Sequence, residues 1–252
     1  MSDGAGRHFA HLFSGHATTY AAYRPTYPPA LFAWLEQQAP GCQQAWDVGT
    51  GNGQVAIALA EAFGAVLATD PSETQLAAAA THPRVTYRQA TYDSGLPDRS
   101  VELVTVGQAL HWFDLDAFFA ELRRVLVPGG FFAAFAYVHS QVTPAVDAVT
   151  LHYHDVTCAE HWAPEHHLIR AGYRSMPLPI VGREVPPFEI RSAMSLEQYL
   201  GFHRSWSAMQ RLLAAGGEGA VQAFERAVMD AWGDVPTREV AWPMFVRAGR
   251  LA

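Results

Sequence analysis

The sequence predicts an α/β protein: a doubly wound, mostly parallel seven-stranded sheet with helices on both faces, plus a helical cap. Three observations predict it. Between Gln43 and Tyr137, short apolar runs alternate with helix-period segments, the pattern of repeated strand–helix–strand units with right-handed crossovers. A glycine cluster, "GTGNG" at Gly49–Gly53, falls between the first strand and the helix after it. Half of the 252 residues are hydrophobic and only 16% are charged, which is material enough to bury a sheet on both faces.

The elements follow in order. "PPALFAWLEQQ" is a helix bounded by prolines. "AWDVG" and "AVLATD" are buried strands, separated by the helix "QVAIALAEAF", which Gly64 is expected to cap at its C-terminus. "SETQLAAAA" opens with Ser72 and Gln75 at capping-box spacing and runs on in alanine, the best helix former. "RVTYRQA" and "VELVTVG" are two further strands, and "LDAFFAELRRVL" places Leu115, Phe118, Phe119, Leu122 and Leu126 on one helical stripe. "VPGG" stops that helix before a fifth strand, "FFAAFAY". Beyond Tyr137 the composition turns to His, Pro and aromatics, which suits a helical insertion over 138–180. "GREVPPFEIR" then reads as a strand, "SLEQYLGFHRSWSAMQRLL" and "AVQAFERAVMDAW" as helices, and "REVAWPMFVRAGR" as the last strand. No break marks a domain boundary, so residues 1–252 are expected to form one domain: lid helices over 1–42, a cofactor-binding core over 43–137, the cap over 138–180, and strands and helices over 181–252 that complete the sheet.

Composition excludes several classes. A formal charge of −7 gives no broad footprint for a nucleic acid backbone. Cys42 and Cys158 lack disulfide or zinc spacing, "MSDGAGRHFAHLFSGHATTY" lacks a signal-peptide run, and "FFAAFAYV" is too short to cross a bilayer. A cytoplasmic protein, monomeric or homodimeric, without membrane or nucleic acid partners, is expected. Among His152, His154, His161, His166 and His167 no spacing matches HExxH or a Cys/His site, so no metal is expected.

The glycines carry the chemistry. A dinucleotide fingerprint, GxGxxG, fits Gly49 and Gly51 but meets Gln54 where its third glycine belongs; the sequence has Gly53 instead. Asp47, two residues before Gly49, would also oppose a bound pyrophosphate. A nucleoside without phosphate removes the conflict. S-adenosylmethionine carries an ammonium, a carboxylate and a sulfonium, so an acidic residue beside the loop is favourable, and the glycines allow close backbone approach. Asp70, ending the second strand, can then accept hydrogen bonds from both ribose hydroxyls.

"DVGTGNG" with Asp70 resembles the signature of the class I S-adenosylmethionine-dependent methyltransferases. "RQATYDSGLPDRSVELVTVGQALHWF" and "LRRVLVPGGFF" resemble that family's following motifs, so that the likeness covers Ala45–Tyr137. The resemblance implies donor contacts from Asp47, Gly49, Thr50, Gly51, Gly53 and Asp70. It puts Ala90 and Thr91 by adenine, and Gln108 and Ala109 by the methionine part, with S-adenosylhomocysteine as product. Thr91 stands where many members have an acidic residue, and the inserted "YDSG" leaves that register open by a residue or two.

"FSGHATTYAAYRPTYP", "ALHWFD" and "HRSWSAM" resemble more narrowly the methyltransferase-11 branch, which contains trans-aconitate methyltransferase-like small-molecule enzymes. The resemblance implies that Tyr20 and Arg24 reach the donor and Tyr23 the acceptor; packing is the alternative role for Tyr20, Tyr23 and Tyr27. Arg24 suits a carboxylate, from donor or acceptor. His111 follows the fourth strand and is the candidate general base, with Trp112 as a pocket wall. Arg204 is a candidate anion clamp and Trp206 an apolar wall, although an arginine in solvent beside a buried tryptophan fits the same residues. The expected reaction is in-line methyl transfer to a small molecule, foremost O-methylation of a carboxylic acid. Methylation of a hydroxyl, phenol or nitrogen with His111 as base is the alternative. A non-catalytic donor-binding protein and a nicotinamide oxidoreductase are the rivals of other classes.

Overall fold

The computed structural model describes residues 24–252. Helix α1 (Pro29–Gln38) precedes five strands with three helices between them: β1 (Gln44–Val48), α2 (Gln54–Leu59), β2 (Ala65–Asp70), α3 (Glu73–Ala77), β3 (Val85–Gln89), β4 (Val101–Gly107), α4 (Leu115–Val125) and β5 (Leu126–Tyr137). The cap holds α5 (Pro144–His152), a π-turn at Tyr153–Thr157 and α6 (His166–Arg170). Then come β6 (Ile180–Gly182), β7 (Glu189–Met194), α7 (Leu196–Arg204), α8 (Ser207–Ala214), α9 (Glu218–Trp232) and β8 (Arg238–Leu251).

Seven strands lie in the order β3-β2-β1-β4-β5-β8-β6, and an eighth, β7, pairs only with β8. The pairs among β1 to β5 are all parallel, while β8 runs antiparallel to β5, β6 and β7. Side chains of β5 show why its sequence is apolar throughout: Phe131, Ala133 and Phe135 face one helical layer, and Phe132, Ala134 and Ala136 face the other. The first layer contains α1 and α2, the second α4 and α6. A third core, around Tyr153, Tyr199, Phe202, Trp206, Trp232 and Trp242, joins the cap to α7, α8 and α9.

Several local expectations are corrected. α1 was expected in a lid; Leu31 and Leu35 are fully buried against the sheet, and Trp34 packs on Phe131 at 5.8 Å, so α1 belongs to a covering layer. Gly64 does not close α2 in a left-handed conformation: α2 loosens after Leu59, and the Gly64 N–H donates to Cys42 O at 2.8 Å, starting β2. α3 stops at Ala77, short of Ala80, because its last turns tighten to i→i+3 bonds and the Tyr87 hydroxyl donates to Ala80 O at 2.8 Å. "GREVPPFEIR" is not one strand, since Pro186 and Pro187 offer no ladder donors between β6 and β7. The long helix from Ser195 breaks at Ser205, whose hydroxyl turns back to Phe202 O at 2.6 Å. Pro243 sits where β8 leaves β7 for β5. Among the described residues no helix is long and apolar enough to cross a membrane.

Candidate functional site

The parallel strands deliver their C-terminal ends to one edge, and the chain turns in opposite directions from β1 and β4, leaving a crevice between them. Gly49 and Gly51 form its floor, with φ of 68° and 56°, and Gly53, with φ of 84°, carries the turn into α2. Left-handed backbone strains any residue with a Cβ, and a Cβ on Gly49 would sit 2.7 Å from Ala109 Cβ. On Gly53 it would collide with the Tyr87 hydroxyl. The loop is held by the Gly49 and Thr50 N–H groups donating to Thr69 O at 2.8 and 3.0 Å.

Two carboxylates anchor this loop. Asp47 is fully buried and accepts from the hydroxyls of Thr50 at 2.5 Å and Thr105 at 2.8 Å. Burial drives its pKa to about 7, against those hydrogen bonds and with help from the nearby Asp70. Asp70, at the tip of β2, accepts the N–H of Gly51 and that of Ser72, each at 2.8 Å. Its pKa is pushed to about 6, again by burial. Both groups gain from a cationic ligand, which would restore their charge. The Ser72 N–H, spent on Asp70, is the donor a full capping box would have used; only the Ser72 hydroxyl's bond to the Gln75 N–H forms.

The crevice is open at its mouth and is lined by Asp47, Gly49, Thr50, Gly51, Asp70, Gln108 and Ala109 among the expected donor residues. Arg24 and Trp112 line it as well. Sequence reasoning missed Asn52 on the same turn, Gln54 and Val55 on α2, Gln75 on α3, and Tyr137 at the end of β5. Capping-box spacing gives Gln75 only a role at the start of α3. Gly53 supports the floor from behind, while Ala90 and Thr91 do not line the crevice; the Ala90 N–H is turned to Asp70 O at 3.2 Å. Gln108 has φ of 56°, a strained value at the end of β4, and its side-chain amide donates to Tyr137 O at 3.1 Å. Tyr20 and Tyr23 lie outside the described residues.

A second cavity adjoins the first and shares Arg24, Gln108, Trp112 and Tyr137 with it. Most of the remaining wall is aromatic and imidazole, from His111, His154, Trp162, His166, Phe202 and Trp206, with Val138, Ala163, Ile169 and Ser207 between them. Arg24 donates to the Tyr137 hydroxyl at 3.3 Å and lies 5.5 Å from the Phe202 ring centre. His111 is nearly buried, its Nδ1 3.0 Å from the Tyr173 hydroxyl, and burial lowers its pKa to about 3. It is therefore neutral at pH 7 but a weak base.

Arg204 is not brought to this site. It projects from α7, half exposed, and pairs with Glu225 at 2.7 Å. Of the six histidines in the cap, His154 and His166 reach the cavity; His139, His152, His161 and His167 do not line it.

Residues 46–134 match the sequence profile of the methyltransferase-domain family. A solved chain from Anaeromyxobacter dehalogenans, provisionally named a type II methyltransferase, is 43% identical over 91% of this chain and 98% of its own, with a TM-score of 0.84. A provisionally named methyltransferase from Dictyostelium discoideum is 28% identical over 94% of both chains. A geranyl diphosphate C-methyltransferase from Streptomyces coelicolor, solved with Mg²⁺, geranyl diphosphate and S-adenosylhomocysteine, shares the fold over the whole chain at 13% identity and a TM-score of 0.51.

Proposed function

Because the chain belongs to the class I S-adenosylmethionine-dependent methyltransferases, in their methyltransferase-11 branch, we propose that it methylates an oxygen of a small, flat acceptor held in the second cavity. Bound S-adenosylmethionine supplies an electrophilic methyl group on sulfonium. The residues of the crevice fit it: Asp70 for the ribose, Asp47 behind a loop whose glycines leave room for the nucleoside, and Arg24 for the carboxylate. The chain's own tasks are alignment, exclusion of water and electrostatic fit, which need few reacting side chains.

One observation carries the choice of acceptor. Among the described residues lining the two cavities, Arg24 is the only permanently cationic side chain, and it lines both. The donor brings a carboxylate of its own, so an acceptor carboxylate would share one guanidinium inside aromatic walls, and an uncompensated buried charge is costly. A hydroxyl on an aromatic or alicyclic ring meets no such conflict, and Trp112, Trp162, Phe202 and Trp206 offer faces to stack on. The carboxylic acid reading retains one support, the planar fork of Arg24 at the junction.

The decisive experiment offers the protein methyl-labelled S-adenosylmethionine with matched phenols, ring alcohols and carboxylic acids. An alkali-stable labelled ether is expected. An alkali-labile ester establishes the carboxylate reading instead, and donor binding without transfer to any compound identifies a non-catalytic binding protein.

A further inference from the structure

A chain of polar groups crosses the cap behind the acceptor cavity. Arg170 contacts Asp155 Oδ1 at 3.0 Å, the same oxygen lies 2.6 Å from His154 Nδ1, and His154 Nε2 lies 3.0 Å from His166 Nε2. His154 is 1% exposed and yet lines the cavity, as does His166, whose ring is stacked flat on Trp162 at 3.9 Å. The Trp162 indole N–H donates to His154 O at 3.1 Å, and the ring of Trp206 stands edge-on to His154 at 5.4 Å, so the imidazole is clamped.

This order fixes the protons. An ionised carboxylate only accepts, so Asp155 requires the hydrogen of His154 on Nδ1. His154 Nε2 is then a bare lone pair, and His166 Nε2 must be the donor to it. A base on a cavity wall with one nitrogen oriented by a carboxylate, and the other held by a neighbour that a ligand can displace, is an arrangement that can activate hydroxyl groups. His111 has no such orienting partner: its Nδ1 faces the Tyr173 hydroxyl, and among the described residues no carboxylate pairs with it.

Resting on the hydroxyl reading above, we propose that His154, oriented by Asp155, takes the acceptor's proton, with the acceptor hydroxyl displacing the His166 N–H from His154 Nε2. In that step the oxygen lone pair forms the bond to the methyl carbon while the methyl–sulfur bond breaks and its electron pair passes to sulfur. The hydroxyl proton moves to His154 Nε2, and the imidazolium formed is balanced by Asp155 until it releases the proton to solvent. Burial lowers the His154 pKa to about 4 in spite of Asp155, so the resting ring is neutral at pH 7, as that of His111 is; what sets His154 apart is Asp155 at its Nδ1, which orients the ring and faces the charge that forms. Asp155 itself stays below the usual carboxylate range: burial works the other way, but the His154 hydrogen bond and the Arg170 charge prevail.

The competing use of these residues is a metal site, since His139, His154 and Asp155 offer ligand atoms all within 4.8 Å of one another and His139 Nδ1 is buried without a hydrogen-bond partner. The Arg170 guanidinium on Asp155 opposes a divalent cation there.

The first test needs no acceptor of known identity. Full-length protein labelled with ¹⁵N-histidine and saturated with S-adenosylhomocysteine is observed through its imidazole nitrogens, His154 being assigned by loss of its signals in His154→Gln. Expected are an Nδ1-protonated His154 and a change at its Nε2, not at His111, when phenol is added as probe. An Nε2-protonated His154, a probe response at His111 alone, or Zn²⁺ binding that quenches His139 and His154 together and restores activity after chelation would each overturn the proposal.

The second test uses an acceptor that gives a labelled ether. His154→Gln should lose about 100-fold in kcat with S-adenosylhomocysteine affinity unchanged within about twofold, while Arg204→Ala, outside both cavities, stays within about threefold of the parent. Asp155→Asn, a positioning change, should lose about 10-fold and move the acid limb of the kcat–pH profile, which a purely structural defect would not. That limb is also shaped by His139, His166, His203 and Arg170, which surround His154. Ether formation undiminished in His154→Gln refutes this proposal alone, whereas ester formation by the parent protein refutes the hydroxyl reading on which it stands.

Discussion

Asp70 joins two duties in one carboxylate, holding the glycine loop through the Gly51 N–H and facing the crevice where a ribose would sit. Asp70→Asn keeps the shape but turns one acceptor oxygen into a donor, which opposes both the backbone N–H groups and the sugar hydroxyls. Calorimetric titration with S-adenosylmethionine should show roughly 10- to 100-fold weaker binding, equivalent to about 1.4 to 2.7 kcal/mol. Arg204→Ala is the opposite case: an exposed ion pair contributes about 0 to 1 kcal/mol, so melting temperature and methyl transfer should stay near the parent values. A large loss of transfer in Arg204→Ala would return that residue to the site. The aspartates were legible in the sequence because Asp47 stands two residues before Gly49 and Asp70 closes the next apolar strand. Arg204 was misleading because its neighbour Trp206 does line the acceptor cavity, and two residues along a chain that leaves a helix is enough to reverse direction.

At the level of elements, the strand-to-helix turn between β1 and α2 depends on Gly53, whose left-handed φ of 84° starts α2 and brings the backbone against Tyr87 of β3. Gly53→Ala introduces backbone strain of about 1 to 3 kcal/mol and a collision with the Tyr87 hydroxyl. Chemical denaturation should report that loss, with donor affinity falling roughly 10-fold or more as the loop shifts; unchanged binding would mean that the loop geometry is not what holds the donor. The strands β1 to β5 could be read from sequence because β1, β2, β4 and β5 are largely apolar runs, while β3, at the sheet edge, alternates between half-buried and exposed residues. The part beyond Tyr137 could not be read as well. Its histidines are spread over a π-turn and two short helical turns, so no fixed spacing announces that His154 and His166 meet, and Asp155 gains its meaning only from a contact with a neighbour in sequence.

Across the whole molecule, buried titratable groups set the response to acid. His111, His154, His166 and His203 have folded pKa values near 3 to 4, below the ordinary 6.5, so the unfolded chain binds their protons first and stability is lost as pH falls from 6.5. Asp47 and Asp70, raised to about 7 and 6, act in the other direction, because the folded protein binds their protons first. Four losses against two gains leave about two protons, or ~2.7 kcal/mol per pH unit. The melting temperature of the free protein should therefore fall by about 5 to 10 °C per unit between pH 6 and 4.5. A cationic donor keeps both aspartates ionised and removes the two gains, so the fall should be steeper with S-adenosylmethionine bound. Scanning calorimetry of both forms across that range checks the sign, and a shallower slope for the bound form would contradict it.

The wall of Arg24, Gln108, Trp112 and Tyr137 is all that the two cavities share. Everything else in the donor crevice comes from the first half of the chain, and most of the rest of the acceptor cavity comes from the cap and the helices after it. Such a molecule can diversify by drift: changes scattered through the cap retune which compounds are accepted, and selection on the methyl-carrying half need never notice.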